Sequence, residues 1–197
     1  MLLMGLLMIP SVVSAVTPKE CLDKARAKLA SASSLSADFT MKVEGQTIKG
    51  HLDSKGNKFS LVSNANSNWY NGRELYTYVP SQSETTVFKP TASELAEVNP
   101  LLYINTSSEF KVSGTKTKKP GLETVVLIPK KSGTGVSNVV IDFDANSFLP
   151  RAIKLTPSTG KAIEISISNV KLNPKLSDSA FEYPKEKYKK VKIIDMR

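Results

Sequence analysis

The chain has 197 residues, 27 of them basic and 18 acidic, for a formal charge of +9, with a single cysteine and a single histidine. One cysteine rules out an internal disulfide, and one histidine beside one cysteine rules out the usual nitrogen and sulfur zinc site. A Ser-His-Asp or Cys-His catalytic device would require His51 as its base, and no neighbour in the sequence supports that role.

Met1 to Ala15 carries no charge. Its apolar run, Leu2 to Ile9, precedes the small residues Val13-Ser14-Ala15, the pattern of a secretory signal peptide over residues 1–15. No Lys or Arg precedes the run, an element such signals normally carry. The stretch is too short to span a bilayer, which takes about 20 apolar residues. The competing reading is a buried N-terminal helix. Residues 16–197 then read as one domain, with no Pro/Gly/Ser-rich linker and no internal repeat.

Thr17-Pro18-Lys19-Glu20 is a capping box with proline at the first helical position. Cys21, Leu22, Ala25, Leu29 and Ala32 recur at helical spacing, so a helix is predicted from Pro18 to near Ser33. From Leu35 the period changes to two. Ala37 to Glu44 alternates apolar and polar residues, as a half-buried antiparallel strand does. Gly45-Gln46 reads as a turn, Thr47 to Asp53 as a strand, Lys55-Gly56-Asn57 as a turn, and Lys58 to Ser63 as a third strand. Asn71-Gly72 is a strong hairpin signal, because both residues tolerate positive φ, and it joins Trp69-Tyr70 to Leu75–Val79. Pro80 to Ser83 turns the chain into Glu84 to Lys89.

Thr91-Ala92-Ser93-Glu94 is a second capping box, opening a short helix that Pro100 ends. Strand patterns resume at Phe110–Ser113, Thr124–Pro129, Ser137–Asp142, Arg151–Thr156 and Ala162–Asn169. Phe181-Glu182-Tyr183 and Val191–Ile194 read as shorter strands near an edge. Roughly ten short strands at this spacing predict a mainly β fold, a strongly curved sheet or open barrel, with the two helices available to cover its mouth.

Motifs for covalent chemistry are missing. No serine lies in a Gly-x-Ser-x-Gly elbow and no glycine-rich phosphate loop opens a helix. Asp142 to Asn146 lacks the glycine and closing glutamate of a calcium loop and reads as a turn after a strand. No catalytic residue, metal or cofactor is therefore expected. Four of the basic residues are arginines (Arg26, Arg73, Arg151 and Arg197) and the rest are lysines, densest at Lys116-Lys118-Lys119 and from Lys185 to Lys192. Scattered lysines without arginine forks or interleaved aromatics do not suit a nucleic-acid reader. They suit a solvated surface, or weak attraction to anionic membranes or acidic partners.

What remains is an apolar inventory. The inward phases supply Phe39, Met41, Val43, Phe59, Leu61, Leu75, Ile141, Phe143, Ile153 and Leu155, then Ile163, Ile165 and Ile167. The second helical region adds Leu95, Val98, Leu101, Leu102 and Ile104. Such stripes ordinarily mark a packed core.

Four stretches give the inventory another meaning. They are Ser36-Ala37-Asp38-Phe39-Thr40, Asn71-Gly72-Arg73-Glu74-Leu75-Tyr76-Thr77-Tyr78-Val79-Pro80, Asn99-Pro100-Leu101-Leu102 and Ala180-Phe181-Glu182-Tyr183-Pro184. Together they resemble the outer-membrane lipoprotein carrier (LolA-like) family over nearly the whole chain after residue 15, with Asn71 where the family's hairpin has Asp. The resemblance implies a half-open antiparallel β-barrel with an N-terminal helix and a short helical lid. It implies a periplasmic, monomeric carrier of acylated lipoproteins, loaded by an inner-membrane releasing transporter and unloaded at an outer-membrane acceptor. Phe59 and Leu61 match its barrel lining, with Phe39 and Leu75 nearby, and the ten strand residues from Phe39 to Leu155 named first above become the expected apolar cavity. Leu95, Val98, Leu101 and Leu102 become the lid. The family's lid is held by an arginine at the turn before the third strand, where this chain has Lys55, so Lys55 is the candidate latch, without a fork. A different class of reading is a periplasmic module that senses lipids or lipoproteins and regulates a membrane partner; a hydrolase lacks its nucleophile and base.

Overall fold

The computed structural model describes residues 16–105, 107–117 and 119–197. The signal segment expected at residues 1–15, and Lys118, lie outside them. Among the described residues no helix is long and apolar enough to cross a membrane.

Helix α1 (Pro18–Ala30) begins at the predicted capping box: Thr17 Oγ1 accepts from the Glu20 amide while the Glu20 carboxylate accepts from the Thr17 amide. Six antiparallel strands follow: β1 (Leu35–Val43), β2 (Gln46–Lys55), β3 (Lys58–Ser63), β4 (Ser67–Tyr70), β5 (Leu75–Val79) and β6 (Glu84–Phe88). The β1–β2 turn is Glu44-Gly45, both at positive φ, one residue earlier than the sequence pattern suggested. The Asn71 loop is four residues long. Asn71 Oδ1 accepts from the Arg73 and Glu74 amides, so the side chain folds the loop as an Asx turn does. Helix α2 (Ala92–Val98) carries the second capping box, formed as predicted by Thr91 and Glu94. Pro100 ends it and opens a 3-10 turn, Pro100–Asn105. Then come β7 (Phe110–Ser113), β8 (Leu122–Pro129), β9 (Val136–Asp144), β10 (Pro150–Pro157), β11 (Ile163–Leu172) and β12 (Lys192–Asp195).

All twelve strands belong to one sheet, in the order β12-β6-β5-β4-β3-β2-β1-β11-β10-β9-β8-β7. Neighbours are antiparallel except β12, which lies parallel to β6. β12 and β7 do not pair with each other, so the curved sheet is open along one seam. Residues 181–183 are not the strand that was expected. Asp178–Phe181 is a 3-10 turn, and Tyr183 stacks on Tyr76 and Tyr188 on the outer face of the sheet.

The concave face is covered in two ways. α1 lies against β7, β8 and the 3-10 turn. Its Cys21, Leu22 and Ala25 join Val125, Leu127, Val139, Ile141, Phe143, Tyr103 and Ile104 in a closed core. α2 and the 3-10 turn extend over the rest. Gly50 in β2 lies beneath the Phe39 ring: a β-carbon there would stand 2.3 Å from Phe39 Cζ and 2.5 Å from the Val62 carbonyl oxygen. The missing side chain thus seats the ring on the floor of the concavity.

Away from that aromatic stack, the outer face around His51 is polar. His51 of β2 holds three strands together. Its Nδ1 lies 2.6 Å from Asp38 Oδ1, its Nε2 lies 2.9 Å from Ser36 Oγ and 3.2 Å from Asp53 Oδ1, and Asn169 Nδ2 of β11 donates to Asp38 Oδ2 at 2.7 Å. Serine, histidine and aspartate meet here, but Asp53 occupies the same Nε2 as Ser36, and Ser36 is buried within its strand. The cluster is an electrostatic cross-strand link.

Partial burial pulls the His51 pKa down, yet hydrogen bonds and charge from Asp38 and Asp53 outweigh it and leave the imidazole raised. A raised value in the folded state means that protonated His51 stabilises the fold. That contribution is complete below the unfolded value of about 6.5 and disappears as pH rises through the folded value. Thermal melts from pH ~6 to ~9 are expected to lose stability more steeply for the wild type than for His51→Gln; parallel curves would contradict this. Cys21 supplies a second check. Burial, followed by the nearby Glu123 charge, pushes its thiol up to about 11. A disulfide reagent at pH ~8 should label it only in denaturant, since the thiolate is the reactive form; equal native and denatured rates would refute the placement.

Candidate functional site

Between the lid and the sheet lies a cavity of about 510 Å³, within the usual range of ligand pockets, about 300–1,000 Å³. Strand alternation builds its wall. Ala37, Phe39 and Met41 of β1, Leu52 of β2, Leu61 of β3, Ile153 and Leu155 of β10, and Ile163, Ile165 and Ile167 of β11 all face inward. Val98, Asn99, Pro100 and Leu101 form the roof. Glu97 stands at the rim beside Gly135, where a β-carbon would meet Glu97 Oε1 at 3.0 Å and φ is +75°.

Phe39, Met41, Leu61, Ile163 and Ile165 are only half-buried although they point into the protein. Ile141 and Phe143, on the same face under α1, are completely buried. The difference marks where the side chains of the two halves of the sheet meet filler and where they meet empty space.

A second hollow of about 260 Å³ lies alongside, lined by Leu29, Leu35, Phe59, Leu102 and others. Asn99 and Leu101 line both. The start of the 3-10 turn is therefore a partition between the two spaces.

The expected cavity residues separate accordingly. Phe39, Met41, Leu61, Ile153 and Leu155 come together on the main cavity. Phe59 and Leu75 share their face but sit in the next cross-strand row, Phe59–Tyr70–Leu75–Phe88 rather than Leu61–Asn68–Thr77, and are packed. Strand alternation determines the face and leaves the row undetermined. Ile141 and Phe143 are covered by the core under α1, and Val43 lies at the end of β1, beyond the lining. Of the lid residues, Val98 and Leu101 contact the cavity, Leu102 faces the smaller hollow, and Leu95 packs on the core.

Lys55 does not bond the lid. Its Nζ donates to Asp178 Oδ1 at 3.1 Å and to the Leu176 carbonyl at 3.4 Å, tying β2 to the C-terminal segment. The fork comes from α1 instead. Arg26 Nε and Nη2 both donate to the Ile104 carbonyl, at 3.3 and 3.0 Å, while Nη1 donates to Asp23 Oδ1 at 3.1 Å. Asp23, also paired with Lys19, orients the guanidinium. A lone arginine at i+4 from Leu22, among the lysines of α1, was the available sign.

Polar lining residues escaped the apolar inventory too. Asn66, Asn68 and Thr77 lie along one wall, and Asn68 is only 3% exposed. Asn68 has the same phase as Tyr70, so a carboxamide occupies an inward position of an aromatic strand. Among the residues lining the main cavity none is Lys or Arg, although basic residues outnumber acidic ones in the sequence by 27 to 18.

The chain matches the family described as outer membrane lipoprotein carrier protein LolA over residues 30–184. No match is found among curated proteins. Among solved structures, an uncharacterized conserved protein from Thermus thermophilus is similar at TM-score 0.61 and 12% identity, covering 90% of this chain and 98% of that one. A DUF1329 family protein from Desulfovibrio piger has TM-score 0.51 and 13% identity, over 86% of this chain and 98% of the other. A LolA superfamily protein from Nitrosomonas europaea has TM-score 0.45 and 14% identity, over 86% and 99%. The first two structures establish a shared fold, and the family is established by the match over residues 30–184: this chain belongs to the LolA outer membrane lipoprotein carrier family.

Proposed function

We propose that residues 16–197 act as a monomeric periplasmic carrier that takes the acyl chains of lipoproteins into the main cavity and ferries them from the inner to the outer membrane. The observation behind this reading is the roofed 510 Å³ hollow walled by inward apolar residues that nothing fills. An acyl chain entering it is removed from water at about 0.8 kcal/mol per CH₂, so ten carbons contribute about 8 kcal/mol before the entropy of ordering the chain is subtracted. No covalent step is needed. A releasing transporter in the inner membrane and an acceptor in the outer membrane are the partners this role requires, and the lysine-rich surface favours an acidic surface on either.

Release must be as accessible as capture. Val98 and Leu101 occupy the roof, and their burial there competes with cargo. Arg26 adds to that competition by holding the Ile104 carbonyl. A charge-assisted hydrogen bond contributes about 1.5–3 kcal/mol, enough to bias a lid that rests on one short helix and one 3-10 turn.

The carrier reading is tested by replacing Ile165 with Trp to fill the cavity and measuring release of acylated lipoproteins from inner-membrane spheroplasts. Wild type should release them and folded Ile165→Trp should not; equal release by both removes the cavity from the role. The latch is tested separately. Arg26→Ala should speed amide exchange at residues 101–105 by about tenfold, in line with the loss of one such bond, and tighten acyl binding, because the closed lid is weakened. Unchanged exchange would show that Arg26 does not hold the lid.

A further inference from the structure

Three carboxamides border the main cavity, and all three are wired alike. Asn66 Oδ1 shares the single Ser63 hydroxyl proton, at 3.2 Å, with the Asn66 backbone carbonyl at 2.8 Å, Asn68 Oδ1 accepts from Thr77 Oγ1 at 2.8 Å, and Asn99 Oδ1 accepts from the Leu101 amide at 3.3 Å. In each case the carbonyl is used and the Nδ2 amide has no partner among the described residues. Asn68 and Asn99 are each only 3% exposed. Yet no fully enclosed side-chain polar atom is left without a hydrogen bond among the described residues. Their Nδ2 groups therefore keep accessible surface, and the main cavity is a space that all three residues line, Asn99 bordering the smaller hollow as well.

Free donors in an apolar hollow specify a complementary acceptor, because a buried donor without one is penalised by about 1–3 kcal/mol. The surroundings narrow the kind of acceptor. The lining holds no lysine or arginine, and its ionisable members are the acids Asp38 and Glu97. Asp38 is already engaged by His51 and Asn169 on the outer face. A carboxylate or phosphate drawn in here would be desolvated with no counter-charge. A neutral carbonyl meets neither obstacle.

We propose that Asn66 and Asn68 on the wall, with Asn99 in the roof, form a polar subsite that donates hydrogen bonds to the uncharged ester or amide carbonyl joining an acyl chain to its carrier molecule. This rests on the acyl-carrier reading and extends it: the cavity recognises the linkage as well as the hydrocarbon. The row Leu52–Leu61–Asn68–Thr77 shows how. It changes from apolar to polar across four strands, so a chain lying on Leu52 and Leu61 places its head near Asn68.

The test compares two lipids that differ only in that carbonyl, 1-palmitoyl-lysophosphatidylcholine and its 1-O-hexadecyl ether, each titrated into the full chain below its micelle concentration. Wild type should bind the ester about five- to tenfold more tightly, the effect of one neutral hydrogen bond. Asn68→Leu should abolish the preference while leaving ether affinity level or higher. Asn66→Leu, at a less buried position, serves if Asn68→Leu melts early. Palmitate should bind more weakly than the ester. Equal wild-type affinity for ester and ether, or tighter binding of palmitate, overturns the subsite and leaves the acyl-carrier reading intact. Binding of neither lysolipid overturns the acyl-carrier reading itself.

Discussion

A β-sheet that buries one face must find something to bury it against, and here the sheet is too wide to meet itself. A closed barrel of about eight strands has an interior that side chains just fill. Twelve strands, even unclosed, curve around a larger space. α1 fills the part over β7–β9 with Cys21, Leu22 and Ala25. Over β1–β5, β10 and β11 nothing of that size is supplied, and the lid roofs the gap without filling it. The cavity, the need for a lid and the means of holding it closed all follow from this shortage of filler.

The shortage also accounts for the unequal character of the two covering elements. α1 has a capping box, proline at its start and a face of small and apolar residues packed without exposure. α2 has seven residues, and its roof contacts are Val98 and the residues after it. A helix this short has little intrinsic stability, so tertiary contacts determine its position. Arg26 connects the two, reaching from the longer helix to a carbonyl near the far end of the lid. A covering element with so few residues of its own belongs to the weakly held part of a fold.

Much of the architecture was legible because it depends on local chemistry. Both capping boxes, the start of β1 near Leu35, β3 and β7 to the residue, and the turns at Lys55-Gly56-Asn57 and Asn71-Gly72 are written in side-chain types and short spacings. Residues 181–183 misled because two aromatics flanking a glutamate alternate like a strand, whereas Tyr183 serves the outer-face stack with Trp69, Tyr76 and Tyr188. The site was legible by face and not by row. Alternation told that Leu61 and Phe59 point inward; only the cross-strand register shows that one borders the main hollow while the other sits in the row beyond. Long-range pairs leave no trace in spacing, so Arg26 with Ile104, 78 residues apart, and Lys55 with Asp178 came from the folded chain alone.

The seam between β7 and β12 has a mechanical meaning. In a sealed cylinder every backbone rung is shared by two neighbours, and girth can change only by breaking or slipping rungs. A sheet with two unjoined margins can unroll a little, spreading a small change of twist over eleven ladders while keeping each one intact. Such a sheet can widen or narrow its concavity while every backbone ladder stays paired, a freedom that closure would remove.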